Sequence, residues 1–297
     1  MNRISIMNRK RCQRQLEIIG RGDHEEIMAY IAKNSLYGAA QVAFIQRGDH
    51  EEIMSYISQY SFDDGAAEKA LIERGNHDEI MAYIAECSLY DKTAEKALIE
   101  HGDHDEIMNY VSSYPLGEAA EKALIQRGNH EEIMNYVIRY GFDEAAEKAF
   151  IERGNHDEIM YYVNKQGLDD DTEKALIERG DHDEIMNYIS QYSFDDDTEK
   201  TLIERGNHDE ILSYVSQYTL DEAAEKALIQ RGNHDEIMAY VTTNPLYDET
   251  AQVALIRRAD HNEIMVYVTD YSLCRDAEKA LYARGNQTEI MVYKARH

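Results

Sequence analysis

The sequence predicts an all-α fold, a right-handed α-solenoid (superhelix) of about 11 two-helix repeats of 26–27 residues. Three observations lead there. The decapeptide RGNHDEIMAY at Arg74 to Tyr83 recurs with small changes along almost the whole chain. Its first residue falls at Arg21, Arg47, Arg74, His101, Arg127, Arg153, Arg179, Arg205, Arg231, Arg258 and Arg284. Inside each unit a helix-stop signal is followed at once by a helix-start signal, so a unit holds two helices. Two helices this short cannot bury an apolar stripe alone, and consecutive units must therefore stack and share a continuous core.

Each element follows from the stretch AAEKALIERGNHDEIMAYIAECSL that ends at Leu89. The first helix, A, carries Ala67, Ala70 and Leu71 at helical spacing, has Arg74 in its last turn and stops at Gly75. Asn76 is then a good N-cap for the second helix, B, and Glu79 three residues later completes a capping box that satisfies orphan backbone donors. Helix A is expected to span about ten residues and helix B about eleven. Along helix B, Ile80, Tyr83 and Ile84 form one apolar stripe, and Leu89 anchors the turn into the next helix A. The prolines Pro115 and Pro245 fall in that turn. The small column Ala43, Ala70, Ala97, Ala123, Ala149, Ala175, Thr201, Ala227, Ala254 and Ala280 allows helices to approach closely.

The ends differ from the middle. Residues 1–21 hold six basic side chains (Arg3, Arg9, Lys10, Arg11, Arg14, Arg21) and the single acid Glu17, and read as a basic N-terminal capping helix region. Residues 22–297 read as the repeat array, whose pattern erodes at Ala259, Gln287 and Thr288 as expected of terminal units with one face in water.

Composition narrows the function classes. The 58 acidic and 31 basic side chains of the 297 residues give a formal net charge of −27, with 43% hydrophobic residues. That supports a folded, acidic chain and disfavours nucleic acid, whose phosphates require clustered Lys and Arg. On formal charge the repeat surface carries about three net negative charges per unit. No apolar run is long enough to span a bilayer, and Cys12, Cys87 and Cys274 have no metal or redox spacing, so the chain reads as cytoplasmic and free of disulfides.

The stacked two-helix unit resembles the broad α-solenoid class that includes HEAT, TPR and leucine-rich-repeat-variant proteins. It is shorter than the first two and lacks the tryptophan, glycine and proline signature of TPR. The resemblance covers residues 14–293 at the level of architecture and implies a binding or scaffold role. TAL-type DNA readers are similar in outline, but they vary in the inter-helix turn, which here alternates only Asn with Asp.

The histidines His24, His50, His77, His104, His130, His156, His182, His208, His234 and His261 form a column at the start of helix B. Successive members lie a helix spacing apart, roughly 8–10 Å, too far to chelate one ion, and HEEIM at His24 and His50 lacks the second histidine of a zinc-protease helix. The ring is expected to hydrogen-bond the turn of the neighbouring unit. The tyrosine column from Tyr30 to Tyr293 reads as core, and the Arg74 column as helix-dipole partners that pair with the Glu79 column. No phosphate loop or nucleophile constellation stands out, so no catalysis, cofactor or metal is expected.

Variation carries more information than constancy, because every unit faces the same packing problem. The positions two and six after the invariant Ile of helix B form an i, i+4 ridge. At its middle it reads Asn109/Ser113, Asn135/Arg139, Tyr161/Lys165 and Asn187/Gln191. The candidate partner-binding residues are therefore Asn109, Asn135, Arg139, Tyr161, Lys165, Asn187 and Gln191. An aromatic and two cations on an acidic background suit an extended polar or acidic peptide or protein segment, with Tyr161 as anchor. The expected function is a non-enzymatic protein- or peptide-binding scaffold. A structural spacing array is the alternative, and nucleic-acid binding a minor one.

Overall fold

A computed structural model describes residues 3–297, with side chains from Lys10 onward; residues 1 and 2 and the side chains of Arg3 and Arg9, counted in the basic segment 1–21, lie outside the described residues. Among those described there are 22 helices and no strand. The A helices run Arg3–Arg21, Ala39–Arg47, Gly65–Arg74, Lys92–His101, Glu118–Arg127, Glu144–Arg153, Asp170–Arg179, Asp196–Arg205, Glu222–Arg231, Glu249–Arg258 and Arg275–Arg284. The B helices alternate with them as His24–Ile31, His50–Ile57, His77–Glu86, His104–Ser113, His130–Arg139, His156–Val163, His182–Ile189, His208–Val215, His234–Thr243, His261–Asp270 and Gln287–Arg296. B helices are thus eight to ten residues long, slightly shorter than the pattern suggests. The basic N-terminal segment forms the A helix of the first repeat, lengthened to 19 residues.

The chain divides into two compact units, residues 1–149 and 150–297, with the boundary inside the helix Glu144–Arg153. Within each unit an A helix packs on the next A helix, a B helix on the next B helix, and each A helix on its own B helix. The shared core is the one the pattern marks. Leu71, Ile72, Ile80, Tyr83, Ile84 and Leu89 are all buried, as are their equivalents in neighbouring repeats. Each such aliphatic side chain contributes about 1.5–3 kcal/mol of burial. A two-helix unit on its own would leave half of this stripe wet, which is why the repeats hold together only as a stack.

The A-to-B turn takes two forms. At Gly75, Gly180 and Gly285 the glycine caps helix A in the left-handed region, with φ of 70°, 76° and 77°. At Gly102, Gly128, Gly206 and Gly232 it is extended, and the following Asp or Asn closes a complete capping box with the Glu three residues on. Ala259 stands at a turn of the extended form, φ −62°, which an L side chain adopts without strain.

Candidate functional site

The N-terminus of each helix B is also where consecutive repeats are joined. The N-cap Asp or Asn accepts from the backbone N–H of the Glu at N3, as Asn207 does from Glu210 at 3.0 Å, and that Glu returns a bond from the N-cap N–H. The other carboxylate oxygen of the Glu faces the histidine of the preceding repeat: His50 Nδ1 lies 3.1 Å from Glu79, His104 2.9 Å from Glu132 and His208 2.9 Å from Glu236. The histidine column therefore binds the neighbouring turn, as the sequence suggested, and its rings meet carboxylates instead of one another. The arginine column meets its expected glutamate in some repeats, while Arg127, Arg231 and Arg258 donate to carbonyls of the preceding repeat. Arg74, Arg179 and Arg284 pair through Nε with Glu79, Glu184 and Glu289 at 3.1–3.3 Å. Their guanidinium groups also donate to a carbonyl at the end of the preceding helix A, as Arg74 does to Ile45 at 2.8 Å.

A second polar ladder runs through the core, and sequence reasoning missed it. Glu68, Glu95, Glu121, Glu173, Glu199 and Glu225 on helix A are buried. In each case the hydroxyl of the buried tyrosine 15 residues later donates to Oε1, for example Tyr136 to Glu121 at 2.7 Å and Tyr214 to Glu199 at 2.6 Å. The second oxygen accepts a backbone N–H from the next repeat, such as Gly117 on Glu95 at 2.8 Å and Asp221 on Glu199 at 2.9 Å. The same tyrosine hydroxyl accepts the N–H of the turn before its own helix A, as Tyr240 does from Leu220 at 3.1 Å. Burial drives these carboxyls above their ordinary range, Glu173 up to about 7. It raises the tyrosines as well, Tyr267 up to about 12. In the sequence the only hint is that glutamine replaces this Glu at Gln41 and Gln252, a swap that preserves shape and removes charge.

Seventeen of the 58 acidic side chains are buried glutamates, so two glutamates of most repeats are engaged in holding repeats together. No described helix is long and apolar enough to cross a membrane.

The ridge residues occupy B helices that pack successively on one another within each compact unit. Asn109 and Asn135, in unit 1–149, are half-buried against the preceding B helix: Asn109 Nδ2 lies 4.0 Å from Met81 Sδ, and Asn135 Nδ2 donates to Ser112 Oγ at 2.6 Å. Arg139 is exposed, and its Nε donates to Asn135 Oδ1 at 3.1 Å. In unit 150–297, Tyr161 and Asn187 are half-buried while Lys165 and Gln191 are exposed. Lys165 Nζ sits 5.2 Å from the Tyr161 ring centroid, and Gln191 donates to Asn164 of the preceding repeat at 3.0 Å. The first ridge position is thus a floor between B helices and the second is its rim. Beside Arg139 the structure adds two residues outside the predicted ridge, Ile138 at 50% exposure and Tyr140 at 40%. Ile138 had a signal: the same column holds Ala85, Ser112, Asn164 and Ser190 in other repeats.

Short two-helix repeats with a shared core, joined by polar ladders, make this chain a member of the α-solenoid class in architecture. Comparison with protein-family models, with curated proteins and with solved structures finds no match.

Proposed function

We propose that the protein is a non-enzymatic scaffold that binds an extended, acidic or polar peptide segment along its B-helix ridge. One observation carries the reading: a ridge that varies between otherwise near-identical repeats is a half-buried floor with an exposed rim, which presents Arg139 beside Ile138 and Tyr140 in unit 1–149 and Lys165 beside Tyr161 in unit 150–297. Aromatic and arginine side chains on a partly desolvated surface are the groups that anchor peptides. The ionisable side chains favour a non-catalytic role, because they recur from repeat to repeat and are engaged in capping and bridging.

Panning a random-peptide display library against the intact chain, and against a variant with Asn135, Arg139, Tyr161 and Lys165 changed to Ala, tests this. Acidic peptides enriched on the wild type and not on the variant support the scaffold. Failure to enrich any peptide, or equal enrichment on both, would favour a spacing array.

A further inference from the structure

Six repeat junctions share the extended turn and the complete capping box and differ in one residue. At His24, His77 and His234 the N-cap of the next repeat is Asp49, Asp103 or Asp260; at His104, His182 and His208 it is Asn129, Asn207 or Asn233. In the first set Nδ1 of the ring lies between two carboxylate oxygens. The distances are 2.9 Å to Asp49 and 3.0 Å to Glu52, 2.8 Å to Asp103 and 3.1 Å to Glu106, and 3.1 Å to Asp260 and 3.0 Å to Glu263. In the second set the cap oxygen is fixed by its bond to the N3 backbone, so the amide Nδ2 is the atom turned toward the ring. It lies 3.1 Å from His104, 3.0 Å from His182 and 2.8 Å from His208, and also donates to the Glu. An amide N–H beside Nδ1 wants a lone pair there, whereas two carboxylates want a proton.

We propose that the choice between Asp and Asn at this cap decides which junctions are proton-gated staples. At His24, His77 and His234 the imidazolium ties two carboxylates of the next repeat together, and at His104, His182 and His208 the cap amide opposes that state. The staple is present below the ordinary histidine range and is lost as pH rises past it, so these three junctions loosen in alkali ahead of the Asn-capped ones.

Other charges do not separate the two sets. Arg47 lies against Gly22 beside His24, and Arg258 donates to Gly232 O beside His234, while His101 takes the arginine position beside His77. Arg127 donates to Gly102 O beside His104, Arg231 to Ile203 O beside His208, and Arg205 pairs with Glu178 beside His182. Own-helix acids flank both sets, Glu25, Asp78 and Asp235 in the first and Asp105, Asp183 and Asp209 in the second, and Glu131 stands 3.7 Å from His104. All six rings are raised: desolvation is the largest single effect at His24 and His77, where the hydrogen bonds and charges of the facing carboxylates together outweigh it, and the hydrogen bond to Glu leads at the other four. The distinguishing contact is the second carboxylate on Nδ1, supplied by the cap Asp.

The test is a histidine ring titration by NMR on the intact chain with EDTA present, beside the triple variant Asp49→Asn, Asp103→Asn, Asp260→Asn. Asn is the native cap of the matched junctions, so the variant keeps the turn. The wild type is expected to show His24, His77 and His234 titrating about one pH unit above His104, His182 and His208. The variant should erase that difference, and the protection of the Glu52, Glu106 and Glu263 amides, taken relative to the intrinsic base-catalysed exchange rate at each pH, should fall between pH 6 and 8.5 in the wild type alone. The reverse changes Asn129→Asp, Asn207→Asp and Asn233→Asp should raise the other three rings and give the answer if the first variant does not fold. Coincident midpoints in the two wild-type sets, or a difference seen only without EDTA, would overturn the proposal.

Discussion

Replacing Glu173 by Gln isolates what the buried ladder does to stability. Glu173 is 5% exposed, accepts the Tyr188 hydroxyl at 2.6 Å and the Asp195 N–H at 3.1 Å, and is pushed up to about 7 by burial, with the Asp195 charge adding to it. A carboxyl whose folded value is raised contributes stability that is complete below its unfolded value of 4.5 and is lost as pH rises through about 7. At pH 8.5 that amounts to about 3 kcal/mol, which we reduce to about 1–2 kcal/mol because the turn it caps is open to solvent screening. Gln41 shows how an amide fits: its Nε2 donates to Leu36 O at 3.1 Å while its oxygen accepts the Asp63 N–H at 3.2 Å. Gln252 repeats the arrangement on Leu246 O and Cys274 N at 2.8 and 2.7 Å. Urea unfolding of wild type and Glu173→Gln at pH 5.5 and 8.5 should show the variant gaining about 1 kcal/mol relative to wild type between the two pH values, because part of the loss is already complete at pH 5.5. An offset between the two proteins that is the same at both pH values would refute the reasoning.

Three further outcomes follow from the same contacts. Tyr110→Phe strands Glu95 Oε1 and the Leu89 N–H, each 3.2 Å from the lost hydroxyl, and should cost about 1–3 kcal/mol in denaturant unfolding; a change of a few tenths would remove the ladder from the stability account. Leu124→Ala, at a fully buried site, should cost about 2–5 kcal/mol, whereas Ile138→Ala on the half-exposed rim should stay within about 0.5 kcal/mol, and similar thermal shifts for the two would contradict the assignment of core and rim. The ridge variant carrying Ala at Asn135, Arg139, Tyr161 and Lys165 should melt within a few degrees of wild type, and a fall beyond about ten degrees would place the ridge in the core.

The period, the caps and the apolar columns were legible because each is a local signal repeated many times. Asn76 and Glu79 are three residues apart, and Ile80, Tyr83 and Ile84 share one helical face, so reading a single repeat suffices. The histidine contact was legible as well, since a residue at the start of helix B has only the next turn beside it. The Glu68 ladder was not. AEKA reads as an ordinary helix with its charge in water, while the partners of Glu68 are Tyr83, 15 residues on, and the N–H groups of Tyr90 and Asp91, 22 and 23 residues on in another repeat. The two turn forms were equally hidden, because Arg74-Gly75-Asn76 and Arg127-Gly128-Asn129 are the same tripeptide with φ of 70° and −56° at the glycine. At the ridge, the exposed Arg139 and Lys165 follow from spacing, whereas the half-buried floor at Asn135 depends on Ser112 and Met108 of the preceding repeat.

Charge reversal on the rim tests the central claim most directly. The affinity of an acidic peptide selected on the wild type should be measured by calorimetry against the double variant Arg139→Glu, Lys165→Glu, whose folded state is checked by its melting curve. The acidic peptide is expected to be lost at unchanged melting temperature, and a version of the peptide with its acids changed to lysine is expected to bind the variant instead. Unaltered affinity for the acidic peptide in a folded variant would contradict it.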